Sequence, residues 1–249
     1  MKRLMLMTGA LLGSLLLAMP AAAQQFSLDL GDGGSTTSRM VQLIVLITVL
    51  SIAPAILVTV TAFTRIVVVM SFLRQAMGAA TAPPNMVIVS LSLFLTAFVM
   101  APTLEAVYHD ALQPLMSNRI DEMEAFSRAT KPISAFMLKQ VRDQDIKLFF
   151  DLSHTPMVAT PQETPLQLLI PAFMISELRR AFEIGFLIYL PFLVIDMLVA
   201  SVLMSMGMMM LPPATFSLPF KLIFFVLVDG WYLITGSLVQ SYMHSPPPT

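Results

Sequence analysis

Residues 184–210 read IGFLIYLPFLVIDMLVASVLMSMGMMM, a run in which Asp196 is the single charged side chain. A bilayer is spanned by about 20 apolar residues, so a helical membrane segment is the natural reading. Upstream, Pro165 to Leu178 is also apolar and is joined to this run by the charged patch Glu177 to Glu183. Downstream, Gly207 and the Pro212-Pro213 pair bracket Met208, Met209 and Met210, and helix cannot pass smoothly through such a bracket. A last apolar segment, Phe216 to Tyr242, is interrupted by Lys221 and Asp229.

The whole chain has the same character. It is 57% hydrophobic and 12% charged, with a mean hydropathy of +0.81, far to the apolar side of a soluble domain. A net charge of -1 offers no basic surface to nucleic acid. The absence of cysteine excludes disulfides, thiolate metal sites and a cysteine nucleophile. The 21 methionines supply flexible thioethers that suit surfaces packing against varied partners.

Toward the amino terminus, Lys2 and Arg3 precede the apolar run Leu4 to Met19, and Pro20 with Ala21, Ala22 and Ala23 follows. This is the order of a secretory signal, with cleavage expected after Ala23; the alternative is a first membrane helix, for which the run is short. Residues 24–39 then read as a flexible periplasmic stretch rich in Gly, Ser and Thr. Met40 to Phe63 is uncharged and continues beyond Arg65 as Ile66 to Leu73, and a connector carrying Arg65, Arg74 and Pro83-Pro84 leads to the apolar run Met86 to Ala101. Residues 40–102 are therefore expected to form a first apolar helical hairpin, with its basic connector cytoplasmic and its end at Pro102.

Residues 103–164 carry a dense mixture of charges and are expected to be a helical periplasmic domain. Two helices are predicted in it, Arg119 to Thr130 and one opening at Pro132, whose Ile133, Phe136, Met137 and Val141 share a face. Residues 165–243 are read as a second apolar hairpin with the methionine loop, and residues 244–249 as a Pro-rich tail. The fold class is all-α: membrane-associated hairpins with a helical periplasmic insert, assembling into a helical pore.

Charges inside apolar segments are costly and face protein or water rather than lipid. Arg180, Glu183, Asp196, Lys221 and Asp229 are accordingly expected to be buried and paired, with Glu177, Arg180 and Glu183 on one side of a helix. A proton relay through Asp196, Lys221 and Asp229 is the functional alternative. The Gly207-to-Pro213 stretch reads either as a soft methionine plug or as an ordinary loop at lipid headgroups. No phosphate loop occurs, His109, His154 and His244 lack metal-ligand spacing, and neither an enzyme nor a cofactor is expected.

The motifs Phe63-Thr64-Arg65-Ile66-Val67-Val68-Val69, Ala82-Pro83-Pro84-Asn85, Phe173-Met174-Ile175-Ser176-Glu177-Leu178, Gly207 to Pro213, Pro219-Phe220-Lys221 and Val228-Asp229-Gly230-Trp231 resemble the FliP family of flagellar biosynthetic proteins. Virulence-type secretion relatives share much of this pattern, but the signal peptide and helical insert fit the flagellar branch better. The resemblance implies a core subunit of a type III export gate at the flagellar basal body in the bacterial inner membrane. It implies a pentamer of this chain, with FliQ, FliR and the export switch subunit FlhB as partners, passing unfolded export substrates and binding no nucleic acid. It further implies a gate of Met208, Met209 and Met210, shaped by Gly207, Pro212 and Pro213, and an ion pair between Arg142 and Glu177 of adjacent subunits. A secondary transporter built on Asp196, Lys221 and Asp229 is the rival, although no inverted repeat is visible; a purely structural scaffold is a third reading.

Overall fold

The computed structural model describes residues 36–79, 82–208 and 212–243. The expected signal peptide, residues 24–35 of the amino-terminal stretch, Met209, Met210 and the tail lie outside the described residues. Among the described residues the chain is helical, with no strand. Helix α1 is Thr36–Val60, α2 Phe63–Ala76 and α3 Asn85–Val107; α3 runs through a π-helical turn, Tyr108–Leu112, into α4, Gln113–Met116. Then come α5, Glu122–Gln140, α6, Asp143–Ser153, a 3₁₀ turn at Pro161–Glu163, α7, Leu166–Ser205, α8, Pro213–Leu227, and α9, Gly230–Met243.

The chain divides into a unit ending at Ser51 and a unit beginning at Ile52. In the first, Met40, Ile44, Ile47 and Leu50 of α1 are exposed, and the hydroxyls of Thr48 and Ser51 donate back to the carbonyls of Ile44 and Ile47. Such back-bonding satisfies these two hydroxyls on an apolar helix.

Helix α2 is the axis of the second unit. Ile66, Val69, Leu73 and Ala76 recur at three- and four-residue steps and are wholly buried, which is the pattern of a helix packed on one face. Its main neighbour is α7. Phe72 meets Phe182 edge to face at 5.0 Å, and Gly185 gives Phe72 its room: a Cβ there would lie 2.6 Å from the Phe72 ring. A second apolar cluster joins Met137 of α5, Ile146 and Phe150 of α6, and Leu169, Ala172 and Phe173 of α7.

Two sharp corners have local causes. Between Pro54–Val60 and Phe63–Ala76 the chain turns by 82°. There the Thr61 hydroxyl donates to Leu57 O and the Thr64 hydroxyl to Val58 O at 2.7 Å, so the carbonyls released by the break keep partners. Between α8 and α9 the turn is 63°, with Asp229 at φ 50° and Gly230 so close under the Phe225 ring that a Cβ would clash at 2.1 Å.

Two expectations are corrected. Pro102 does not end its helix: Asn85–Met116 is continuous over 32 residues, so the boundary between 102 and 103 falls within a helix. Pro132 does not open a helix, because Glu122–Gln140 passes through it, and the break comes instead at Val141, whose backbone is extended. A proline inside a helix removes one hydrogen bond, and the packing of α3 against α5 outweighs that loss. The charged patch Glu177 to Glu183 lies inside one helix, α7, which runs for 40 residues across it. Asn85–Met116 and Leu166–Ser205 are each long and apolar enough to cross a membrane, and each bent pair would add another span if it crosses as one.

Candidate functional site

Four helices converge on one buried ion pair. Arg65, in the first turn of α2, and Glu177, in the middle of α7, have side chains that are 1% and 0% exposed. The guanidinium grips the carboxylate with two donors, Nε at 2.9 Å from Oε2 and an Nη2 contact to Oε1. Its remaining reach is used on Ser241 Oγ of α9 at 3.1 Å and on Gln140 Oε1 of α5 at 3.2 Å. Tyr242 of α9 lays its ring 3.9 Å from the Arg65 Cζ and donates its hydroxyl to Glu177 and to Ala62 O. Removing two such charges from water costs several kcal/mol per ion, recovered only with near-complete hydrogen bonding and good geometry, and this pair has both.

Within the chain Arg142 is paired locally. It is the N-cap residue of α6, and its Nε and Nη2 donate to the two Asp145 oxygens at 2.9 and 2.8 Å. Its backbone N–H donates to Ser176 Oγ at 3.1 Å, and that hydroxyl donates in turn to Asp145. Within the chain, therefore, Arg142 is paired with Asp145 and Glu177 with Arg65. The two networks are neighbours through Ser176 and Glu177 on α7; the expected Arg142–Glu177 pair is one between adjacent subunits.

The other charges of the apolar segments divide into two kinds. Lys221 of α8 is 5% exposed and donates to Asp196 of α7 at 2.6 Å and to Ala76 O at the end of α2 at 3.2 Å, while the Ser217 hydroxyl donates to Asp196 as well. A lysine is thus used to cap the free carbonyl of a helix end. Arg180 is half-buried and donates to Gln140 Oε1 at 3.0 Å, on the edge of the Arg65 network. Glu183 and Asp229, expected to be buried, are exposed on the chain. Glu183 turns outward because it pairs with Arg179 one turn earlier, at 2.8 Å, and Asp229 because it forms the corner between α8 and α9. Asp196 and Lys221 pair directly with each other. Among the described residues no group of three His, Cys, Asp or Glu could hold a metal.

The methionine loop follows from the end of α7. The helix stops at Ser205, Gly207 takes φ +76°, where a side chain would be strained, and α8 restarts with Pro213 in its first turn. Met208 is exposed on the far side of that glycine.

A family model, the FliP family, matches residues 46–238, which include Arg65, Glu177, Asp196, Lys221 and the loop. The chain belongs to the FliP family. Among its relatives is a flagellar biosynthetic protein FliP of Caulobacter vibrioides, 59% identical over 227 residues, 90% of this chain and 85% of that protein. The FliP of Bacillus subtilis is 53% identical over 205 residues, covering 82% and 93%, and that of Aquifex aeolicus 48% over 217 residues, covering 86% and 90%. The FliP match stops short of Ser241 and Tyr242, the α9 residues that complete the buried network. Arg65 is the residue that sequence reasoning missed. Its signal was available: one cation between the uncharged runs Met40 to Phe63 and Ile66 to Leu73 is a charge in apolar surroundings that needs a partner.

Proposed function

We propose that this chain is a pore-forming subunit of the flagellar protein export gate, several copies of which enclose a path for unfolded flagellar proteins across the bacterial inner membrane. The observation that carries the reading is the surface of α7. Phe186, Leu187, Met197, Leu198 and Met204 are each about 60% exposed on a helix whose charged groups are turned inward or paired. A wall of that kind is stable only when lipid or further subunits cover it.

In this reading the chain assembles with copies of itself, five in number, and with FliQ, FliR and FlhB. The part from residue 103 to residue 164 lies on the periplasmic side, and the amino-terminal signal is removed. The subunit has no reaction of its own to catalyse; it holds a passage open or closed. Met208 to Met210 form the closure, their soft side chains yielding to a passing chain and meeting again behind it. The partial exposure of Arg142 leaves it open to a neighbouring copy, whereas Glu177 could reach one only after Arg65 releases it.

The test is conductance. Deleting Met208 to Met210 should make membranes holding the assembled complex leak ions, and an unchanged permeability would remove the gate assignment. Native mass spectrometry of the purified complex reports the copy number and the partner subunits, and a monomeric chain would remove the pore.

A further inference from the structure

Away from the buried network, an apolar groove of about 390 Å³ opens between α3, α5 and the end of α9. Phe98 and Val99 line it from α3, Phe136 from α5, and Tyr242 from α9. A second pocket adjoins it, sharing Ala106, Pro132 and Ala135, so that the two form one channel along the α3–α5 seam. Its position along each helix is informative. It begins on α3 at Phe98, inside the uncharged run that ends at Ala101, and reaches Asp110 of the following π-helical turn, in the charged part. On α9 it meets the last two residues of an uncharged helix. The channel therefore straddles the border between apolar and water-exposed chain, where lipid headgroups lie.

Its charges have a sign. Arg128, Lys131 and Lys139 line it against the single acid Asp110. Arg128 is held by Glu124, whereas Lys131 and Lys139 are exposed and have no salt-bridge partner among the described residues. An ammonium group beside the apolar trough, Lys139, and another in the adjoining pocket, Lys131, match a molecule with a hydrocarbon chain and an anionic phosphate.

We propose that this groove binds an anionic phospholipid, with one acyl chain against Phe98, Phe136 and Tyr242 and the phosphate between Lys139 and Lys131. The site requires only that the apolar helices lie in lipid; it does not depend on the chain forming a pore.

The chain has no cysteine, so Ala135→Cys, on the wall shared by both pockets, gives a single labelling position. The full chain labelled there with bimane is reconstituted in phosphatidylcholine vesicles containing brominated phosphatidylglycerol, or brominated phosphatidylcholine at the same mole fraction. Quenching is expected to be stronger with phosphatidylglycerol. Lys139→Gln should raise the half-quenching fraction about fivefold, and Lys131→Gln with it should raise it further, since each lysine near an anionic lipid contributes roughly that factor. Equal quenching by both lipids, or no change in the double variant, overturns the proposal. Disulfide-linked dimers of Ala135→Cys would also overturn it, because a second copy would then fill the groove. Retention of phosphatidylglycerol by the unlabelled chain in native mass spectrometry gives an independent reading: Lys139→Gln should lose the adduct and Lys147→Gln, an exposed lysine on α6, should keep it. Equal loss in both variants counts against the site.

Discussion

Replacing Arg65 by methionine keeps the length of the side chain and removes its charge. Glu177 is then left at 0% exposure with the Tyr242 hydroxyl as its remaining donor. Breaking a buried pair by removing one partner costs about 3–5 kcal/mol, because the surviving charge keeps its desolvation penalty and loses its compensation. For a domain of this size each kcal/mol moves the midpoint by roughly 2–4 °C, so Arg65→Met should unfold about 6–20 °C below the parent. Glu177→Leu alone strands the guanidinium and should lose a comparable amount. The double variant Arg65→Met with Glu177→Leu removes both charges together. Tyr242 still has Ala62 O to donate to, so the double variant should lose only about 1–2 kcal/mol, for the weakened contacts of Gln140 and Ser241. The double-mutant cycle therefore gives a coupling of at least about 3 kcal/mol. Thermal unfolding of the detergent-solubilised chain, followed by near-ultraviolet circular dichroism, measures it. Single losses below about 1 kcal/mol, or losses that simply add, would refute the claim that this pair organises the core.

Three further outcomes are expected. Arg142→Ala should cost about 1–2 kcal/mol, since Asp145 keeps only Ser176; hydrogen exchange should show faster amides in α6 while α2 stays protected, and equal loss in α2 would mean that Arg142 supports Glu177 after all. Gly185→Ala forces a Cβ to 2.6 Å from the Phe72 ring and should cost about 1–3 kcal/mol. Thermal unfolding reads that loss, and combining it with Phe72→Leu should restore most of it; the absence of any rescue would place the clash elsewhere. Lys221→Met uncaps Ala76 O and strands Asp196, and should lose about 1–3 kcal/mol with faster exchange at Met77 and Gly78. Unchanged exchange there would refute the capping role.

The helical class was legible because long uncharged runs leave few alternatives, and the break at Gly207 to Pro213 because glycine and proline act locally. Pro102 and Pro132 misled for the same reason. A proline states a local preference, and the contact that overrules it, α3 against α5, joins segments far apart in sequence. The charges show the same limit. That Asp196 and Lys221 needed partners follows from their apolar surroundings, but nothing in two separate runs says that they meet each other and a helix end. Glu177 stood out because its motif was recognisable, while Arg65 passed as a connector residue setting topology. The exposed Glu183 shows that one helical turn suffices to carry a charge from the core to the surface when Arg179 waits on that side.

The closure of the Arg65 network by α9 also has a consequence in time. Glu177 lies 112 residues after Arg65, and Tyr242 lies 180 residues after the Ala62 carbonyl to which it donates. At about 5–20 residues per second, the first turn of α2 leaves the ribosome roughly 10–40 s before the tyrosine that completes its surroundings. During that interval the guanidinium must be kept wet or sheltered by the insertion machinery. A helix made about 180 residues later is thus the one that allows the Arg65 charge to settle, and the network cannot close before Tyr242 has been synthesised.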